Sequence, residues 1–419
     1  MEFSTLNLHT DIAEGIKAAG FTEPTPIQAK AIPLVLEKKD VMGLAQTGTG
    51  KTAAFALPIL QRLIEGPRGQ VRALVIAPTR ELAEQIHETF QTLGRRTGLR
   101  CTSIYGGVNI NAQIKKLNSG KEIVVACPGR LLDHINRRTI NLSKVEVLVL
   151  DEADRMLDMG FLPDIKKVIK HIPKSRQSLL FSATMPSTIN KLANEILKAP
   201  VKIQINHSAP ASTVTHALYP VDQSLKAGLL LKVLSKTDTE SVLVFTRTKH
   251  RAKRLGLQLQ RAGYTATSLQ GNLSQNKRQE ALKGFRDGKF QILVATDIAA
   301  RGIDVSCISH VINFDIPDTT DAYTHRIGRT GRAAKTGDAF TFITREDEPL
   351  VKSIERVLGE KIERCTLEDF DYKPAPSSNT GAKHTTQEQK PWKKKKKPMT
   401  WTSAAALSYK KKPSRKAAM

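Results

Sequence analysis

The sequence predicts an α/β protein with two parallel-sheet domains in tandem and a basic tail too polar to fold. Three observations carry this reading. Short apolar runs alternate with helical segments from residue 41 to about residue 185, and the alternation restarts near residue 241. Residues 371–419 hold thirteen Lys/Arg against two Asp/Glu. Strands spaced by helices argue for a parallel sheet with helices on both faces, and 419 residues suffice for two such domains and a tail.

Composition sets outer bounds. The apolar fraction of 40% supports ordinary globular cores. Of the net charge of +25, +11 falls on residues 371–419 and +14 on the rest, so both parts suit a polyanion such as nucleic acid or carry charge for solubility alone. Cysteines 101, 127, 307 and 365 lack metal-ligand spacing, which fits buried thiols in a reducing compartment rather than a disulfide framework. The first ten residues carry no apolar signal segment and no run of 18 apolar residues occurs, so the expectation is a soluble, cytoplasmic chain with no membrane partner.

The first forty residues are helical in pattern and broken by prolines. Pro24 and Pro26 stiffen a turn, and Pro26 can open a helix at its first position. Gln28 held on that turn could bond an adenine edge bidentately, with Phe21 or Phe3 as an apolar wall; a proline-led helix start needs neither role. A short strand, Val41-Met42-Gly43-Leu44, then leads into Ala45-Gln46-Thr47-Gly48-Thr49-Gly50-Lys51-Thr52 and a helical run. Glycines there let backbone N–H groups turn inward on phosphates, and the helix N-terminus adds positive potential. Lys51 can reach the outer phosphates, and Thr52 offers a hydroxyl to magnesium. Position 45 is Ala where the general pattern has Gly.

Further strands are expected at 72–77, 101–105, 122–126, 145–150 and 177–181. Each ends in glycine, hydroxyl or charged residues, and ligands bind at that edge of such sheets. Most telling is 145–154, where an apolar run ends in Asp151, Glu152 and Asp154. Charge is costly inside a sheet, so these acids belong at the strand's tip, either facing a ligand or forming a solvated turn. Residues 200–220, with prolines at 200, 210 and 220, read as an interdomain linker. The second set of strands is expected at 241–245, 265–269, 290–295, 310–314 and 339–343, without a second Gly-Lys-Thr. It offers arginines instead: Arg329 and Arg332, three apart, could both point at one phosphate chain. An arginine finger of this kind is worth about 10³–10⁵ in rate; a basic surface helix is the plainer alternative.

Asp151-Glu152-Ala153-Asp154 spells the motif of the DEAD-box RNA helicases of superfamily 2, and the chain resembles that family over about residues 1–365. Gln28, the phosphate loop, Ser182-Ala183-Thr184, Gln275 with Arg278, Asp304 and the run 325–332 all stand in the family's order. The resemblance implies two RecA-like domains: a Gln-motif region at 1–30, the ATP-binding domain at 31–205, a linker at 206–220, the second domain at 221–368 and a disordered basic tail at 369–419. It implies ATP and Mg²⁺ as cofactors. Phe21, Gln28, residues 45–52, Asp304, Arg329 and Arg332 would hold ATP, with Thr52 and Asp151 at the metal. Glu152 would activate the attacking water. Asp154 would bond Ser182, Thr184 and His325 and so couple hydrolysis to domain closure. RNA, as single strand or short duplex, would touch Thr79, Arg80, Gly107, Arg130, Arg247, Gln275, Arg278 and Thr296. Cys127 departs from the family, which has Thr before Pro-Gly-Arg, and puts one RNA phosphate contact in doubt.

The short basic tail looks like that of the bacterial RhlE-type members, whose settings include ribosomal particles, RNA decay and cold adaptation. Trp392 and Trp401 flank the lysine run 393–397, an arrangement that suits an RNA tether as well as a solubilising tail. Two other functions fit the residues: an ATP-gated RNA clamp or annealing chaperone, and a DNA-directed ATPase of the same superfamily.

Overall fold

The computed structural model describes residues 2–46, 48–205, 214–237, 240–300, 308–331 and 337–373. Met1–Pro374 forms one compact unit that carries two sheets. The first contains β1 (Val41–Leu44), β2 (Ala73–Ile76), β3 (Cys101–Ile104), β4 (Ile123–Ala126), β5 (Val147–Leu150), β6 (Gln177–Ser182) and β7 (Val201–Gln204). Its spatial order is β3-β4-β2-β5-β6-β1-β7. The second contains β8 (Val214–Pro220), β9 (Val242–Phe245), β10 (Ala266–Leu269), β11 (Ile292–Ala295), β12 (His310–Asn313), β13 (Gly337–Ile343) and β14 (Glu363–Arg364). Its order, β10-β11-β9-β12-β13-β8-β14, repeats the first with every strand advanced by seven. Each described pairing in both sheets is parallel.

The central strands read as unbroken apolar runs because both faces are covered. In β5, Val147 and Val149 enter a cluster with Phe55, Phe90 and Phe181. Leu148 and Leu150 enter the opposite cluster with Met156, Ile165 and Leu192. Burying each such side chain contributes about 1.5–3 kcal/mol. Helix Lys51–Leu63 follows β1 and is buried along most of its circumference, which fixes the phosphate loop between two immobile elements. Gly43 in β1 is needed for close approach, since a Cβ there would lie 2.6 Å from the Phe181 ring.

Two boundaries differ from the sequence reading. The expected linker over 206–220 ends early, because Val214–Pro220 is β8 and pairs along its whole length with β13. Pro220 is the last residue of that strand, where a missing N–H disturbs the ladder least. Residues 206–213 lie outside the described residues. The expected tail over 369–419 starts late, because Phe370 and Tyr372 pack on the second core and Asp369 pairs with Lys232 at 2.7 Å. The lysine run 393–397, Trp392 and Trp401 lie outside the described residues. Strands β7 and β14 were not expected; β14 has two residues and no pattern to read. No described helix is long and apolar enough to cross a membrane.

Candidate active site

The phosphate loop hangs between β1 and helix Lys51–Leu63. Gly48 and Gly50 have φ of 86° and 90°, a left-handed backbone that favours glycine. Gly50 is doubly constrained, since a Cβ would come within 2.4 Å of the Gln28 Nε2. Lys51 opens the helix, and its Nζ donates to the Ala45 carbonyl at 2.8 Å. The Ala45 N–H in turn donates to the Ser182 carbonyl at 3.0 Å, tying the loop to β6. Thr49 donates to the Gln46 carbonyl at 2.7 Å; Thr52 begins the helix beside Lys51. Thr47 lies outside the described residues.

Gln28 is buried against this loop. Its Oε1 accepts from the Thr25 N–H at 3.0 Å, and its Nε2 donates to the Gly50 carbonyl at 3.1 Å. The side chain expected to read adenine is thus also a strut under the phosphate loop. Its amide keeps one N–H and one lone pair for a ligand. Phe3 stacks on Phe21, ring centres 6.4 Å apart, along a cavity of about 540 Å³ beside this turn.

The three acids stand at the tip of β5, as their positions require. Asp151 is buried, and its Oδ1 accepts from the Glu152 N–H at 3.0 Å. Burial pushes its carboxyl up to about 7; Lys51 opposes that rise and the Glu152 charge adds to it. Glu152 itself has φ 52° and ψ 52°, a left-handed conformation that costs a non-glycine residue about 1–3 kcal/mol. Its Oε2 accepts from Arg155 Nη1 at 2.7 Å, both side chains being buried. Burial would raise the Glu152 pKa, but Arg155, Lys51 and Arg329 together hold it below the usual carboxylate range.

Asp154 is the best-satisfied of the three. Its Oδ2 accepts from the Ala183 N–H at 3.1 Å, the Thr184 N–H at 2.9 Å and the Thr184 hydroxyl at 3.1 Å. Its link to Ser182 runs through its own N–H, which donates to Ser182 Oγ at 3.2 Å. Burial pushes the Asp154 pKa up, and the Thr184 N–H, Lys51, His325 and Arg155 outweigh it. His325 comes from the second half and lies within electrostatic reach of Asp154; burial, and then Arg155, lower the imidazole's pKa.

The two halves close directly on one another. Arg329, buried in the second half, lies within electrostatic reach of Glu152 in the first. A cleft of about 350 Å³ opens there, bordered by Arg155, Asp158, Phe245, His325, Arg326 and Arg329. A second junction lies along the expected RNA path. Arg278 Nε donates to Glu81 Oε1 at 2.8 Å, and Arg80 Nη1 donates to Gln275 Oε1 at 3.4 Å. Gln275 and Arg278 are therefore buried in a cross-domain contact instead of lying open to a ligand, although Gln275 Nε2 is buried with no partner among the described residues.

The remaining expected contacts follow the C-terminal ends of β2, β3, β4, β9 and β11. Thr79 caps helix Arg80–Leu93, its hydroxyl accepting from the Leu82 N–H at 3.2 Å. Gly107, at φ 83°, passes beneath Arg80. Arg130 donates to the Val108 carbonyl at 3.1 Å. Arg247 follows β9, and its N–H donates to Asp315 Oδ2 at 2.8 Å. Thr296 immediately precedes helix Asp297–Ala300. Cys127 precedes helix Pro128–Asn136 without capping it through its side chain, and burial pushes its thiol up to about 12. Asp304 and Arg332 lie outside the described residues.

Two residues escaped the sequence reading. Arg155 holds Glu152, and a cation three residues after an acid on one helix was the available signal. Arg326 donates to both Asp297 oxygens at 2.6 Å, to Asn313 Oδ1 at 3.0 Å and to the Asp315 carbonyl at 2.7 Å. It also lies 4.9 Å from the centre of the Phe245 ring. This web seats the helix that delivers His325 and Arg329, and no local pattern announces it.

Known proteins share these features. The DEAD/DEAH box helicase family matches residues 25–192, and the helicase conserved C-terminal domain matches residues 225–334. The DEAD-box ATP-dependent RNA helicase CshA of Bacillus subtilis (strain 168) is 45% identical over 371 residues, 88% of this chain and 75% of that protein. CshA of Geobacillus kaustophilus is 45% identical over 370 residues, covering 88% of this chain and 79% of its own length. Among solved structures, S. cerevisiae Dbp5 bound to RNA and ADP BeF3 superposes with a TM-score of 0.76 at 29% identity, over 87% of this chain and 95% of that one. Mss116p bound to ssRNA and AMP-PNP gives a TM-score of 0.79 at 29% identity, over 88% and 80%.

Proposed function

The chain belongs to the DEAD-box ATP-dependent RNA helicases and hydrolyses ATP in response to RNA; from that premise we propose how its residues divide the work. The carrying observation is that Arg329 of the second half borders the same cleft as Arg155, whose guanidinium pairs with Glu152 at the tip of β5. In this reading ATP rests on Lys51 and the amides of 48–50, with its adenine on Gln28 and Phe21. Glu152, kept ionised by the cations around it, accepts the proton of the attacking water. Arg329, with Arg332, stabilises charge on the transferring phosphoryl group. Thr52 and Asp151 would hold a magnesium ion: a hydroxyl at the start of the helix after the phosphate loop and a buried acid at the tip of β5 are the oxygen donors such an ion takes. When bound there, that ion supplies charge neutralisation on the phosphates.

RNA would cross both halves along Thr79, Arg80, Gly107 and Arg130 on one side, and Arg247, Gln275 and Thr296 on the other. The Glu81–Arg278 pair latches the halves at that groove. Asp154, satisfied by the 182–184 turn, transmits closure to His325 and takes no part in the chemistry. A groove closed this way fits a bent single strand, so a bound duplex loses pairs locally. Hydrolysis reopens the cleft and releases the strand.

Glu152→Gln is expected to keep ATP binding and lose at least about 100-fold in turnover. Wild-type turnover in that variant would remove Glu152 as the base. The finer RhlE-type assignment rests on the short basic segment after residue 373, while the similar bacterial proteins carry the name CshA. A cytoplasmic location, and ribosomal particles or RNA-decay machinery as the setting, belong to the same reading. Sequencing RNA crosslinked to the protein in cells tests that setting.

A further inference from the structure

Helix Ile110–Asn118 buries one residue, and that residue is a glutamine. Gln113 is 5% exposed and bonds both the turn that carries Gly107 and the first turn of helix Pro128–Asn136, which carries Arg130. Its Nε2 donates to the Tyr105 carbonyl at 2.9 Å, immediately before Gly106-Gly107. Its Oε1 accepts from Arg130 Nη1 at 3.2 Å, and the same Arg130 nitrogen donates to the Val108 carbonyl at 3.1 Å. One amide therefore ties both ends of the 105–108 turn to Arg130.

The amide cannot flip without losing these bonds, and His134 holds it in place. His134 is fully buried, and its Nε2 lies 3.1 Å from Gln113 Oε1. Because that oxygen can only accept, Nε2 carries the proton and Nδ1 is left as the acceptor. Nδ1 stands 2.8 Å from the Thr139 hydroxyl, whose one proton is shared between Nδ1 and the His134 carbonyl at 3.2 Å. Thr139 lies past the end of helix Pro128–Asn136, so the chain of bonds runs from that helix's end back to its first turn at Arg130. Such a network stiffens the groups it joins; the one atom of it without a hydrogen-bond partner is the buried Arg130 Nε, which faces Asp133 Oδ2 at 3.5 Å. Apolar neighbours would have filled this space without setting either loop.

We propose that Gln113 and His134 are positioning residues for the RNA groove. They fix the 105–108 turn and Arg130 in one arrangement before RNA arrives, so that binding spends no free energy on ordering them. The turn's placement reaches further. Arg80 lies against Gly107, so closely that a Cβ there would sit 2.1 Å from Arg80 Nη1, and the same Arg80 nitrogen contacts Gln275 across the domain junction. The relay thus sets both an RNA-facing loop and the seat of a cross-domain contact. This inference rests on the reading of Gly107 and Arg130 as RNA contacts, and its test separates the two.

The test is RNA-stimulated ATPase titrated with a single-stranded oligonucleotide, alongside melting of each variant. Arg130→Ala should raise the half-saturating RNA concentration about tenfold, the loss of one charge-assisted contact. Gln113→Leu, which keeps the volume and removes the polar relay, should raise it by about the same factor, with turnover at saturating RNA within about twofold. Combining the two should add little, because they act through one guanidinium. His134→Gln keeps a donor at the Nε2 position and should restore RNA dependence to within about twofold of wild type, whereas His134→Leu should not. If Arg130→Ala shifts the RNA dependence and the folded Gln113→Leu and His134→Leu proteins do not, the relay is overturned and the groove stands. If Arg130→Ala shifts nothing, the groove reading fails first. Should Gln113→Leu not fold, the two His134 variants decide alone, and equal RNA dependence in both overturns the proposal.

Discussion

The two halves place a lysine at the same point of the same topology, and only the first lysine follows a glycine loop. Lys51 follows β1 and opens its helix; Lys226 follows β8, the equivalent strand, and opens helix Lys226–Lys236. Both amines are buried and both donate to a backbone carbonyl, Lys51 to Ala45 at 2.8 Å and Lys226 to Phe342 at 3.1 Å. Each also feels an aspartate beyond the equivalent strand tip, Asp151 after β5 and Asp315 after β12. The difference is the turn before the lysine. The first half has Gly48 and Gly50 in left-handed conformations, so its amides can face an anion. In the second, the Asp222 carboxylate accepts from the Ser224 N–H at 2.8 Å and from the Ser224 hydroxyl at 2.6 Å. A carboxylate of the chain itself uses those donors, and Asp315 is matched by Arg251 and the Arg247 N–H. The fold supplies the seat; glycines, and the absence of a competing acid, make it a phosphate site.

That contrast can be broken by exchanging lysines. Lys51→Ala should lower RNA-stimulated turnover by at least about 100-fold, since it strips a preorganised charge from the phosphates. Lys226→Met should leave the KM for ATP unchanged and alter only melting. A comparable loss of ATP affinity in both variants would mean that the second seat is in use. Gly50→Ala is next in size. The added methyl meets Gln28 and the backbone is strained, so ATP affinity should fall about tenfold or more. An equilibrium titration with a fluorescent ATP analogue reads this, and unchanged affinity would show that the loop can rearrange around Gln28.

The Glu81–Arg278 junction ranks third. Breaking a buried ion pair from one side leaves an uncompensated charge, so Arg278→Met should reduce RNA-stimulated ATPase about tenfold or more. Exchanging both partners for apolar residues, Glu81→Leu with Arg278→Met, should recover part of the loss. No recovery would assign Arg278 to RNA rather than to the latch.

The smallest effect concerns acid, at the opposite edge of the sheets. In the first half Glu146, just before β5, pairs with Arg62 and Arg72, Arg72 standing just before β2. In the second half the matching positions are Ser309 and Ser241, joined by hydroxyl and backbone bonds. Burial would raise the Glu146 pKa, but Arg72 and Arg62 hold it below its ordinary value. Its contribution to stability is therefore full above the unfolded pKa near 4.5 and is lost as pH falls through the lower folded value. Glu146→Gln should cost about 1–2 kcal/mol near neutrality, discounted for the part of the carboxylate that water reaches, and nothing once the pH has fallen below the lowered folded value. A penalty that persisted at low pH would point to packing instead of charge.

Legibility in the sequence followed the range of the interaction. The central strands, the glycine loop and the acids at the tip of β5 are local patterns of apolar run, glycine and charge. Strand β8 was hidden by the prolines around it, although its buried Val214, Leu218 and Tyr219 carried a readable apolar signal. What stayed invisible joins residues far apart in the chain: Glu81 with Arg278, Arg326 with Asp297 and Asn313, Gln113 with His134. A charge or amide can be read as exposed or buried only once its partner is known, so the resemblance that names Arg278 as an RNA contact gives no sign of its pairing with Glu81.

A site that binds ATP with one half should hydrolyse it only with the other. Arg329→Ala separates the two, with ATP binding and RNA-stimulated turnover measured on the same protein. One ATP should bind per chain at near wild-type affinity, with turnover reduced about 10³-fold or more. Wild-type turnover with Arg329 removed would contradict it, because Glu152 and the phosphate loop would then suffice alone.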